Sequence, residues 1–239
     1  MFRAVALVPS PPLLVPELTG SSADETADLR SAAVRAMGEL TSSTDRWLAI
    51  GVDDSEATYT PSTVGTFLGF GVDVVVSLAD DSVSTVPDPD LPLAVLTAGW
   101  LRGTAAPDSA IEVRTIPADA SAQWCANVGA ALRRELDASD ENWGVLLLAD
   151  GANTLTDKAP GSFDERSAQV QQLIDDALAA ADVDALASLD VDLCASIGVG
   201  GRAAWQVLAA LAKSDTITAT EHYRRAPFGV GYYVGTWVR

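Results

Sequence analysis

Apolar stretches of strand length alternate with segments of helical period along nearly the whole chain. Residues 2–8 form a first apolar run, and Ser10, Pro11 and Pro12 stand just beyond its end. Leu29, Ala33, Val34, Met37 and Leu40 then recur at helical spacing, predicting a helix over residues 24–40 with Asp24 and Glu25 in its first turn. Residues 47–52 and 72–78 read as strands, the second a β-branched run too apolar for a sheet edge. Between them, residues 53–70 are polar and then glycine-rich with no clear period, and a connection of that length points to a functional rim.

Farther on, residues 91–101 favour a short helix and residues 111–116 a strand. Asp119 is the expected cap of a helix whose core face is Cys125, Val128, Leu132 and Leu136. Residues 143–149 form the most continuous apolar strand and end on Asp150-Gly151, a pattern expected where both sheet faces are covered. Ser162 and Glu165 have capping-box spacing ahead of Val170, Leu173, Ile174 and Leu178. A helix after Gly198, Gly200 and Gly201 buries Ala204, Trp205, Leu208 and Leu211. Residues 215–221 and 229–237 are β-like, joined by a basic turn around Arg224 and Arg225. With no internal repeat and only short hinges, the pattern predicts an α/β protein. Its expected form is a single three-layer α/β/α domain over residues 1–239, with a central mixed sheet.

Composition narrows the function classes. The chain is 48% hydrophobic and 20% charged, which excludes a disordered class. No apolar run reaches the roughly 18 residues of a membrane span. The opening resembles a short signal peptide, but Pro9, Pro11 and Pro12 interrupt it, so it reads as a strand of a cytoplasmic protein. Cys125 and Cys194 lie among small apolar residues, as buried thiols of a reducing compartment do; a disulfide is not required. The 33 acidic against 15 basic residues give a net charge of -18, which repels nucleic-acid phosphates and anionic lipid surfaces. Tyr232, Tyr233 and Trp237 fit either burial in the monomer or an apolar edge strand pairing two copies into a homo-oligomer.

Sites of open α/β sheets gather past the carboxyl ends of the strands. Ser10, Asp53, Asp54 and Asp150 meet that condition. Residues 150–161 form a polar loop in which Lys158 meets Asp150 or Asp157 at a pocket wall, or else a salt-bridged loop that positions the Ser162 cap. The glycine group around Gly200 could cradle an anion, but its pattern is not a dinucleotide fingerprint, and close helix packing explains it equally well. His222 is the sole histidine, either a rim residue or an acid-base group. With Asp150 and Lys158 it is the candidate catalytic set for hydrolysis or proton transfer.

The segment Val8-Pro9-Ser10-Pro11-Pro12-Leu13-Leu14 resembles the opening of the class III extradiol ring-cleavage dioxygenase B-subunit superfamily, which includes Memo-like proteins. Asp150-Gly151, the run from Thr156 to Arg166, Gly201-Arg202-Ala203-Ala204-Trp205-Gln206 and the run from Ala226 to Tyr232 are similar to its short actinobacterial branch. The resemblance implies non-haem Fe(II) held by two histidines and a glutamate in active members. The first ligand position falls on Ser10, and the second falls near Asp53 and Asp54, where there is no histidine. The glutamate position falls within residues 200–204, which hold no carboxylate. One histidine cannot supply two imidazoles. The expectation is therefore a metal-free, cofactor-free, non-dioxygenase member that binds a small molecule or a partner. Two alternatives stand beside it: a non-redox enzyme using His222, Asp150 and Lys158, and a divalent-cation enzyme using Asp53, Asp54 and Asp150.

Overall fold

The computed structural model describes residues 1–20, 26–80 and 86–239. Four strands lie parallel: β1 (Phe2–Val8), β2 (Arg46–Asp53), β6 (Val113–Pro117) and β7 (Trp143–Leu148). Antiparallel additions close the two sides: β3 (Ala57–Tyr59) beside β6, and β9 (Tyr232–Val238) then β8 (Thr218–Arg225) beside β1. The sheet order is β3-β6-β2-β7-β1-β9-β8, and a separate hairpin pairs β4 (Val64–Thr66) with β5 (Val75–Ser77).

Alternation along the central strands explains the unbroken apolar run. Val145 and Leu147 of β7 face one core, shared with α4 (Ala122–Asp137), α5 (Ser167–Ala180) and α8 (Arg202–Ala212). Leu146 and Leu148 face the other, shared with α2 (Ala27–Ser43) and α3 (Leu93–Ala105). A strand covered on both faces has no polar face to display. The result is the expected three-layer α/β/α domain with a mixed sheet. One-turn α1 (Pro16–Thr19) follows β1, and α6 (Val183–Ala187) and α7 (Val191–Ser196) add turns that the sequence pattern did not suggest.

Several local expectations are corrected. Residues 72–78 do not enter the main sheet: Val76 and Leu78 are buried, Val75 is exposed, and Val76 shares a small core with Phe67 of the hairpin and Leu96 of α3. Burial against a helix selects the same β-branched composition as a sheet interior. Residues 53–70 are not a bare loop but carry β3 and β4. Arg224 and Arg225 end β8 rather than form a turn. Tyr232, Tyr233 and Trp237 are buried in β9, which lies between β1 and β8, so β9 is no edge strand. Cys125 and Cys194 are buried free thiols. The placement of Asp24 and Glu25 lies outside the described residues.

Two helix starts also differ. α5 begins at Ser167, after Asp164 turns onto the Arg166 backbone and guanidinium, and among the described residues Ser162 makes no capping hydrogen bond; Leu173 is exposed. α4 is capped by Ser121, whose Oγ accepts the Trp124 N–H at 3.2 Å, rather than by Asp119. Ser121→Ala is expected to lower stability by about 1 kcal/mol in urea unfolding, while Asp119→Ala stays within about 0.5 kcal/mol. Equal losses for the two would contradict the assignment.

Candidate functional site

The chain leaves β7 toward α5 on one face of the sheet, whereas β1 leads to α2 and β2 toward α3 on the other. Connections that part on either side of a strand open a crevice at its carboxyl end. The registers say which residues stand just past the strand ends there. Val8 of β1 and Gly51 of β2 both sit opposite Leu148 of β7. Two residues farther along each chain stand Ser10, Asp150 and Asp53, and of these Ser10 and Asp150 are in contact.

Ser10 grips Asp150 twice. Its N–H donates to Oδ1 at 3.2 Å and its hydroxyl to Oδ2 at 2.9 Å. Asp150 keeps a partial opening to the surface, yet burial is the largest influence on its carboxyl and pushes it up to about 6 against the downward pull of both Ser10 hydrogen bonds. Buried Tyr232, at the start of β9, stands close enough that burial and then the Asp150 charge hold its phenol above the ordinary range.

The backbone around this pair is set by close approaches that only glycine permits. Asp150 C=O accepts the Gly201 N–H at 2.6 Å, and a Cβ on Gly201 would lie 2.7 Å from that of Ala149. Gly198 has φ +66, and a Cβ there would meet the Asn153 amide. Packing thus accounts for these two glycines, while exposed Gly200 borders Asp150. Gly151 and Gly231 exchange hydrogen bonds across the Asp150 loop: Gly151 N–H to Gly231 C=O, and Gly231 N–H to Ala152 C=O, both at 2.9 Å. Between them sits buried Gln171, accepting Ala152 N–H at 2.8 Å and donating to Asp175 at 2.7 Å.

The structure therefore brings together Ser10, Asp150 and Gly200, and adds Tyr232 and Gln171, while Asp53 ends the neighbouring strand β2. Only Gln171 had a readable signal, as an amide on the buried stripe of an amphipathic helix. Asp54, Asp157 and Lys158 are exposed. Asp157 and Lys158 are the two central residues of the turn closed by Ala159 N–H to Thr156 C=O, and neither has an ion pair among the described residues.

His222 is a correction. It lies on β8, three strand spacings of roughly 4.8 Å from β7, or about 14 Å laterally. Its neighbour Glu221 is level with Gly235 and hence with Leu7, three residues short of Ser10. Its Nε2 pairs instead with Glu39 Oε2 of α2 at 2.9 Å, an oxygen that also accepts from the Thr236 hydroxyl at 2.9 Å. Burial pushes the Glu39 carboxyl up, but the hydrogen bonds from Thr236, His222 and Arg35 together draw it below its ordinary value. Proton transfer needs contact near 3 Å or one bridging water, so His222, Asp150 and Lys158 do not form a catalytic set.

Nor do the donors fit the iron that the resemblance implies, since the one imidazole is engaged elsewhere and Ser10 offers a neutral hydroxyl committed to Asp150. Among the described residues, no group of three or more His, Cys, Asp or Glu side chains is placed to hold a metal ion, so Asp53, Asp54 and Asp150 do not converge as a cation site. The cavities described lie away from these residues, among them one of about 480 Å³ on the α5 and α6 surface, one of about 240 Å³ lined largely by alanines of α4, α6 and α8, and one of about 210 Å³ between β3 and α4.

No family model and no curated protein matches the chain by sequence. In structure it is similar to an uncharacterized protein of Escherichia coli K12, JW3007, with a TM-score of 0.53 at 11% identity, covering 99% of this chain and 100% of that one. The likeness is one of fold. Among the described residues no helix is long and apolar enough to cross a membrane.

Proposed function

We propose that this protein is a cytoplasmic, non-dioxygenase member of the extradiol dioxygenase B-like superfamily that binds a small molecule in the crevice at the end of β7. The observation that carries this reading is the Ser10–Asp150 pair. At the strand end where the resemblance puts a metal-binding histidine, a serine instead holds a carboxylate that titrates near 6. Open α/β sheets bind ligands at such points. Asp150 is a hydrogen-bond and proton acceptor there, and Ser10 positions it.

Anaerobic purification without chelator, followed by elemental analysis and an oxygen-uptake assay with catechols after Fe(II) addition, tests the chemistry. The expected result is far less than one iron per chain and no ring-opened product. Stoichiometric iron with catechol-dependent oxygen uptake would contradict the proposal.

A further inference from the structure

A carboxylate set into a protein ordinarily has a cation or a metal beside it, because desolvation disfavours its charge. Asp150 has neither among the described residues: Ser10 supplies both of its hydrogen bonds, and no positive group acts on its titration. The arginines of the elements around the crevice are committed elsewhere. Arg30 of α2 donates to the Leu14 carbonyl at 2.8 Å and the Thr26 hydroxyl at 2.9 Å. Arg202, in the first turn of α8, donates to the Ala118 and Ala120 carbonyls and to Gln206. Asp53, the last residue of neighbouring β2, is a second carboxylate at this end of the sheet with no ion pair among the described residues.

We propose that the ligand of this crevice carries a protonated amine that pairs with the Asp150 carboxylate. The inference rests on the reading of the crevice as a ligand site and names the class of ligand. An ammonium group has three donors. Asp150 offers carboxylate oxygens with lone pairs left over from Ser10, and the Ser10 hydroxyl, having donated its hydrogen, is free to accept. A net charge of -18 surrounds the protein with a field that concentrates cations and repels anions. A metal ion fits less well, because among the described residues no group of three or more His, Cys, Asp or Glu side chains is placed to hold one.

A matched set of probes tests the class: n-butylamine, 1-butanol and butyrate at pH 7.5, followed by the backbone amide shifts of Ser10, Gly151 and Gly201 in ¹⁵N-labelled full-length protein. The amine is expected to shift these amides with at least tenfold higher affinity than the alcohol or the acid, and Asp150→Asn is expected to bring amine and alcohol within twofold of each other. The wild-type comparison stands without the variant, and a circular-dichroism melt verifies that the variant folds. Butanol or butyrate binding as tightly as the amine at these amides would overturn the cationic class while leaving the crevice as a binding site. No amine-induced shift at these amides, or Mg²⁺ or Ca²⁺ displacing the amine there, would overturn it as well.

Discussion

Trp237→Ala is expected to lower stability by about 4 kcal/mol, in the range for deleting a fully buried large side chain, and the melting temperature by roughly 10 °C. Trp237 has no exposed surface and sits in β9 between Val5 of β1 and Ala219 of β8. Its indole N–H donates to the Leu178 carbonyl of α5 at 2.8 Å. Truncation opens a cavity in the core shared with α5 and α8 and leaves that carbonyl without its donor. Trp237→Phe keeps most of the volume and should cost about half as much. Urea unfolding of the two variants measures both losses. A loss below about 1 kcal/mol for alanine would mean that β9 is not the buried strand described, and Tyr232, which β9 sets beside Asp150, would lose its placement.

The second large effect is a dependence on pH. Asp150 titrates near 6 in the folded protein against an ordinary 3.8. The native state therefore holds this proton more tightly than the unfolded chain does. The stabilisation is fully present below about pH 4 and is lost as pH rises through 6, amounting to about 3 kcal/mol at 1.36 kcal/mol per unit. Asp175, also pushed up to about 6 by burial, adds a loss of the same sign. Asp150→Asn removes the first contribution and leaves the second. At pH 7.5 the variant should be more stable than the wild type by up to about 3 kcal/mol, with the gap closing toward pH 4. Urea unfolding at several pH values measures it. A gap that does not change with pH would contradict the burial of Asp150. A charge that weakens the fold at neutral pH and is nevertheless present is the signature of a group placed for binding rather than for stability.

The helices and the central strands are legible in the sequence because each has one dominant signal. Leu146 and Leu148 beside Val145 and Leu147 give the unbroken run expected of a doubly covered strand, and Ala204, Trp205, Leu208 and Leu211 of α8 are buried as their spacing indicates. The strand-end candidates Ser10, Asp53 and Asp150 are legible for the same reason, since a polar residue just past an apolar run has one place to go. What periodicity does not carry is strand order. Ser10 and Asp150 are 140 positions apart and meet because β7 inserts between β1 and β2. The same order carries His222 away from them, onto the edge strand and against Glu39. Its rarity made it a candidate, but rarity holds no information about position. Val76 and Leu78 illustrate the remaining ambiguity, because packing against α3 and packing within a sheet call for the same side chains.

The claim that the crevice around Asp150 is the ligand site is tested most directly by amide-shift mapping of the full-length protein with a library of small polar fragments, in wild type and in Asp150→Ala. The fragments that bind are expected to shift Ser10, Gly151, Gly200 and Gly201 together, and these shifts are expected to vanish in the variant while its remaining spectrum stays folded. Shifts that survive in Asp150→Ala, or that gather around His222 and Glu39 or in the alanine-lined cavity between α4, α6 and α8, would contradict it.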